Sequence, residues 1–379
     1  MRKSSIALAG LALTLNACGA DEPLEGASGP RPGFDDAAQQ ELIDVGVGKY
    51  LGTSRPDEVL SDERGTTSYI WKPGSTAHGP ICLLNTDFRV FSRRGTSRNL
   101  LIYLQGGGAC WSDLCAASST AGTGIYPLGW TDGNTEQNPL GSYDVVFVSY
   151  CDGSVFSGDN DLVDPKFGGP DGMRHQRGLV NLSAGIDIAL QDFPTPKSIV
   201  LAGSSAGGYG TLMGTAVVRL AYPHTPLSVI NDAGAGLTNP DDPETFVKAR
   251  EEWKFDQFVP PSCEECKNGQ FTPLIGWAMS HDPTLRVGMF SAYEDDTIGN
   301  FFLGMSGPGF HDLLMRETDA LRAAHPEQFA RFFIDGKQHT ALFSFYDSKI
   351  DGVTIPEWTR RVITPSLEPR DLLEPYVAE

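Results

Sequence analysis

The stretch Ser198-Ile199-Val200-Leu201-Ala202-Gly203-Ser204-Ser205-Ala206-Gly207-Gly208 decides how this chain is read. Residues 198–202 form a short, continuously apolar run of the kind that is buried on both faces as a strand. Beyond the glycines, Leu212, Val217, Val218 and Leu220 are spaced as on one face of a helix. Between the two, Gly203-Ser204-Ser205-Ala206-Gly207 fits the small-x-Ser-x-small pattern of a strand-to-helix turn that presents a nucleophile. Larger side chains than those of Gly203 and Gly207 would collide in such a turn, and Ser205 takes its strained centre. Ser204 lies one residue early. The Ala206 N–H, at the positive end of the helix, is placed to stabilise an oxyanion. A Gly-rich helix start can instead cradle phosphate, but no Lys follows the glycines as it would in a nucleotide-binding loop.

Working outward, residues 100–104, 145–149, 227–230 and 331–334 repeat the continuous apolar pattern, and Leu179, Leu182, Ile186 and Leu190 mark another helix. This alternation predicts an α/β fold: a mostly parallel sheet with helices on both faces and its active site at the carboxyl ends of the strands. Residues 236–280 carry Pro240, Pro243, Pro260, Pro261, Cys263 and Cys266 without clear periodicity. They are read as an inserted cap or loop region, either touching substrate or merely a stapled surface excursion.

Residues 100–104 run into Gln105-Gly106-Gly107-Gly108-Ala109-Cys110-Trp111. Sheets of this hydrolase class place a second oxyanion donor in such a glycine loop, which makes Gly107 and Gly108 candidates and Trp111 a candidate substrate-pocket wall. The same class orders its triad as nucleophile, acid, histidine. Of His281, His311, His325 and His339, the last follows a strand-like run and the turn Asp335-Gly336-Lys337-Gln338, so His339 is the expected general base. Residues 287–293 lead into Glu294-Asp295-Asp296, which offer three carboxylates to hold the imidazole; Asp295 is favoured, with Asp296 close behind. Asp232 competes, although a role in bonding the Ala233-Gly234 turn would account for it.

The bulk properties suit an exported protein. Arg2-Lys3, an apolar stretch over residues 6–15 and Asn16-Ala17-Cys18 resemble a bacterial lipoprotein signal over residues 1–18 with Cys18 as lipid acceptor, or else an ordinary cleaved leader. Residues 19–37 read as a flexible linker and 38–379 as one folded domain. Setting Cys18 aside leaves six cysteines, expected as Cys82 with Cys151, Cys110 with Cys115 and Cys263 with Cys266 in an oxidising compartment. Cys263 and Cys266 lack a second paired unit for zinc, so no metal and no cofactor are expected. The formal net charge of −19 repels phosphate backbones and anionic lipid headgroups, which argues against nucleic acid as a partner and leaves a lipid anchor as the membrane link. Oligomeric state is not legible.

Several separated pieces together resemble the pectin acetylesterase and Notum family over about residues 80–345. They are residues 104–110, 122–126, Tyr150-Cys151-Asp152-Gly153-Ser154 with Phe156-Ser157-Gly158-Asp159, 203–208, Asn231-Asp232-Ala233-Gly234 and Gln338-His339-Thr340. The resemblance implies an α/β-hydrolase that needs no metal and removes acyl groups from esters: acetate from a polysaccharide, or a longer acyl chain from a protein. Carried over by position, it gives Ser205, Asp295 and His339 as the triad and Gly107, Gly108 and Ala206 as oxyanion donors, and it supports two of the disulfides. The chain departs from the family at Gln105, where an acidic residue is common, and at Gly108-Ala109, where an aromatic residue is displaced to Trp111. It departs again at Asp295-Asp296-Thr297-Ile298, where Asp-x-x-Gln is usual. The expected function is therefore an exported serine esterase acting on acetyl or similar esters of a polysaccharide or small molecule. The alternatives are a deacylase of longer chains and a non-catalytic glycan or lipid binder on the same scaffold.

Overall fold

The continuous apolar runs form a sheet that is covered on both faces. The computed structural model describes residues 31–378, so the expected leader, Cys18 and most of the linker lie outside the described residues. Its main sheet has ten strands: β1 (Glu58–Ser61), β2 (Thr66–Trp71), β3 (Phe88–Arg93), β4 (Leu100–Leu104), β5 (Asp144–Val148), β6 (Ile199–Ser204), β7 (Leu227–Asp232), β8 (Arg286–Ala292), β9 (Phe329–Ile334) and β10 (Leu372–Leu373). They lie in the order β1-β2-β3-β5-β4-β6-β7-β8-β9-β10. Neighbours from β5 through β10 are parallel, while β1, β2, β3 and β5 pair antiparallel. Every residue of β4, β6, β7 and β9 is buried, as the expected sheet requires.

Among the described residues, seven α-helices accompany the sheet: α1 (Asp36–Asp44), α2 (Gly178–Asp192), α3 (Ala206–Ala221), α4 (Pro243–Trp253), α5 (Pro273–His281), α6 (Gly307–Ala324) and α7 (Ile355–Ile363). Side chains alternate across a strand, so β4 feeds two cores. Leu100, Ile102 and Leu104 pack with Leu179, Leu182 and Val217 of α2 and α3, whereas Leu101 and Tyr103 face the core that holds Trp358 of α7.

The order of the strands positions the site. From β4 the chain crosses to β5 on one side and later returns to β6 on the other, so β4 and β6 flank a reversal of strand order. Crevices open at the carboxyl ends of strands where order reverses. The glycine loop after β4 and the Ser205 turn after β6 are therefore neighbours.

Two segments differ from their sequence readings. The helix α1 starts at Asp36, inside the stretch read as linker, because Asp35 caps it by accepting the Ala38 N–H and Phe34 packs edge-on against Trp277. Residues 236–280 hold α4 and α5, each opened by a proline in its first turn, where the missing N–H costs nothing. Among the described residues, three disulfides form as expected: Cys82–Cys151, Cys110–Cys115 and Cys263–Cys266. None of the described helices is long and apolar enough to cross a membrane.

Candidate active site

Ser205 stands alone between the end of β6 and the start of α3, at φ 57° and ψ −120°. A side-chain-bearing residue pays about 1–3 kcal/mol for such a backbone and keeps it only where its surroundings over-determine it. Here they do: the Ser205 N–H donates to the Asp232 carbonyl at 2.8 Å. A Cβ on Gly203 would strike the Gly207 carbonyl, and one on Gly207 would strike the carbonyl of Leu104. The turn is thus wedged against the exit of β4.

His339 reaches the turn from the loop after β9. Its Nε2 lies 2.8 Å from Ser205 Oγ, and its Nδ1 lies 2.8 Å and 3.1 Å from the two carboxylate oxygens of Asp295. A carboxylate can only accept, so Nδ1 carries the proton and Nε2 is left to accept from the Ser205 hydroxyl. Asp295 sits just past β8 and also accepts the N–H groups of Thr297 and Ile298 at 3.0 Å, capping a wide π-helical turn over Asp296–Phe302. Burial raises its pKa, and the hydrogen bond to His339 opposes the rise. Asp296 instead accepts from Asn300 Nδ2 at 3.0 Å, and Glu294 accepts from the Tyr376 hydroxyl at 2.7 Å. Of the three adjacent carboxylates, Asp295 alone meets the imidazole.

Asp232, the other candidate acid, does not touch the ring. Its Oδ2 accepts from Ser204 Oγ at 2.5 Å and its Oδ1 accepts the Ala341 N–H at 2.9 Å, so one carboxyl ties the Ser205 turn to the His339 loop. The Tyr103 hydroxyl closes the chain, 2.8 Å from Ser204 Oγ. Burial pushes the Asp232 pKa up to about 7.

The glycine loop lies hard against Ser205: a Cβ on Gly106 would come 3.1 Å from the Ser205 Cβ and 2.5 Å from the Ser204 carbonyl. The Tyr150 hydroxyl fixes it by donating to the Gly108 carbonyl at 2.7 Å, and Cys110–Cys115 closes the small hairpin that follows. The Ala206 N–H opens α3 and so has no acceptor within the helix. Gly107, Gly108 and Ala206 all line the space in front of Ser205.

Two hollows of unequal size meet at Ser205. The smaller, of 30 Å³, is walled by Ala109, Val155, Tyr209, Phe246, Trp253 and Phe302. The larger, of 480 Å³, holds His339 and is bordered by Gln105, Tyr126, Phe301 and Thr340. Trp111 borders neither. It is buried behind Phe246 and Phe302, its ring centre 5.9 Å and 6.5 Å from theirs, and faces a separate recess. Phe246, Trp253 and Phe302 carry no signal in the sequence because they come from α4 and the wide turn, which lack a readable pattern. Among the described residues no group of three His, Cys, Asp or Glu side chains is placed to hold a metal ion.

Sheet order, strained serine turn and histidine loop together define an α/β-hydrolase-like protein. Residues 78–262 match the pectinacetylesterase family model. Ser205 lies inside the matched region, while Asp295 and His339 lie beyond it. The chain is also similar to palmitoleoyl-protein carboxylesterase notum1' of Xenopus laevis, 29% identical over 160 residues, which is 38% of this chain and 32% of that relative. The match therefore spans about a third of the relative's length.

Proposed function

We propose that this protein is an exported serine hydrolase that removes short acyl groups, acetyl above all, from esters. The observation that carries the reading is the continuous chain Ser205 Oγ, His339 Nε2, His339 Nδ1, Asp295, with 2.8 Å at each end. His339 takes the Ser205 proton as Oγ attacks the ester carbonyl. The N–H groups of Gly107, Gly108 and Ala206 hold the oxyanion, each such donor contributing about 10²- to 10³-fold in rate. Collapse of the tetrahedral adduct expels the alcohol, to which His339 returns the proton. Water then attacks the acyl-enzyme by the same route, and the carboxylic acid leaves.

The two hollows divide between acyl group and alcohol. The leaving oxygen must face the histidine that protonates it, so the alcohol occupies the large cleft that contains His339 and the acyl group enters the small hollow that does not. A water-sized group needs about 10–15 Å³ measured in this way, so 30 Å³ fits an acetyl group and not a longer chain. The glycine-loop departure supports the same size class: Ala109 sits against the hollow and Trp111 stands behind its wall.

Export rests on the leader-like residues 1–18 and on three disulfides, which persist in oxidising compartments. The residues between Cys18 and Phe34 would then link a lipidated Cys18 to the enzyme; a mature N-terminus without lipid on Cys18 removes the anchor from this account.

Hydrolysis of p-nitrophenyl acetate, butyrate and octanoate by the purified protein tests the reaction. Acetate should be preferred, and Ser205→Ala should lower kcat/KM by about 10⁴-fold or more. Most of the activity surviving in Ser205→Ala would refute the assignment.

A further inference from the structure

On the reading above, the small hollow takes the acyl half of the substrate, and the cleft on the His339 side takes the alcohol. Resting on the esterase reading above, we infer that this alcohol is an uncharged sugar ring of a neutral glycan, not a unit of a polyanionic galacturonan such as the pectin of the family's name.

Three observations lead there. Among the described residues that line the cleft, none is Lys or Arg. The only ionisable groups in its lining are His339, which faces Ser205, and the phenols of Tyr103 and Tyr126. A carboxylate, Asp295, stands behind the imidazole, and the whole chain carries 48 acidic residues against 29 Lys and Arg. A polyanion entering would give up hydration without meeting a cation, in a field of its own sign.

The lining is, however, well suited to a neutral ring. Gln105, Thr297 and Thr340 offer uncharged hydrogen-bonding groups, and the walls are aromatic and aliphatic. Large apolar side chains stand in water at the rim: Tyr126 is 42% exposed, Leu128 41% and Phe301 55%. Phe343, 83% exposed, belongs to the same loop as His339 and Leu342, the latter a lining residue. Clustered exposed apolar groups around a crevice mark a binding surface, and flat aromatic faces match the apolar faces of pyranose rings. The 480 Å³ of the cleft is large enough for one or two such rings and far larger than a small leaving group needs.

The test compares initial rates of acetate release from acetylated xylan and from acetylated polygalacturonate, with p-nitrophenyl acetate as a reference ester. Measurements at about 10 mM and about 1 M salt set charge screening at roughly 30 Å and 3 Å. Expected is a kcat/KM on the neutral glycan at least tenfold above that on the polyanion at low salt, with the polyanion rate rising as salt is added. Phe343→Ala should raise KM for the neutral glycan severalfold. Equal or better use of polygalacturonate at low salt, or a polyanion rate that falls with salt, overturns the inference while leaving the esterase intact. Failure to cleave p-nitrophenyl acetate overturns the esterase reading itself, and this inference falls with it.

Discussion

Among single residues, the site was legible where backbone chemistry restricts the choice of side chain and illegible where only contact does. Ser205 could be read because the glycines around it are demanded by close approach, and His339 because it follows a strand and a turn. Three neighbouring carboxylates look alike in sequence, and only the capping of Thr297 and Ile298 by Asp295 turns that one toward the imidazole. The distinction is measurable. Asp295→Asn keeps the side-chain shape but permits the wrong imidazole tautomer, so kcat should fall by about 10⁴-fold at neutral pH. Asp296→Asn, at an exposed residue that accepts from Asn300 and does not meet the imidazole, should stay within about twofold. Equal losses in the two variants would show that the acid is misassigned. Asp232 shows the opposite limit: its place after a strand suggested either role, and geometry makes it the tie between two loops.

At the level of elements, strands buried on both faces announced themselves, and the antiparallel edge did not. Strands β1 and β2 are half-exposed and polar in part, so their pattern does not stand out from loop sequence. Helix α4 was hidden for another reason: its buried residues Phe246, Ala249, Arg250 and Trp253 include an arginine, which blurs the apolar stripe. This helix and the wide turn over Asp296–Phe302 form one wall, since Phe246 and Phe302 border both the 30 Å³ hollow and the 230 Å³ recess behind it. Phe302→Ala should breach that wall. The ratio of octanoate to acetate hydrolysis should rise at least tenfold, at a stability cost of about 3–5 kcal/mol or less, because Phe302 is not fully buried. An unchanged chain-length profile in a folded variant would mean that the acyl group lies elsewhere.

For the molecule as a whole, buried carboxyls give stability an unusual pH dependence. Burial pushes Asp187 and Asp152 to about 6 and Asp232 to about 7, all above their unfolded values. Their contribution is complete below about pH 4 and is lost as pH rises through 6 to 7. Asp159 and Asp161 behave oppositely. Burial works against them, but His78, Lys49 and Tyr50 on the first, and His175 and Arg177 on the second, hold both well below the usual range. Their contribution is present above about pH 4 and disappears in stronger acid. The melting temperature should therefore peak near about pH 4–5 and decline toward pH 8, and Asp187→Asn, far from Ser205, should flatten the decline. Calorimetry showing a melting temperature that climbs from pH 5 to 8, or an Asp187→Asn slope equal to that of the parent, would contradict this. The contorted backbone at Ser205 has a different kind of cost. Glycine is at ease at φ 57°, whereas alanine bears the same strain as serine, so Ser205→Gly should melt above Ser205→Ala by up to about 1–2 kcal/mol of stability. Of the two substitutions the glycine would then be the sturdier, so a side chain at this bend is a standing burden that only a use for its hydroxyl would offset.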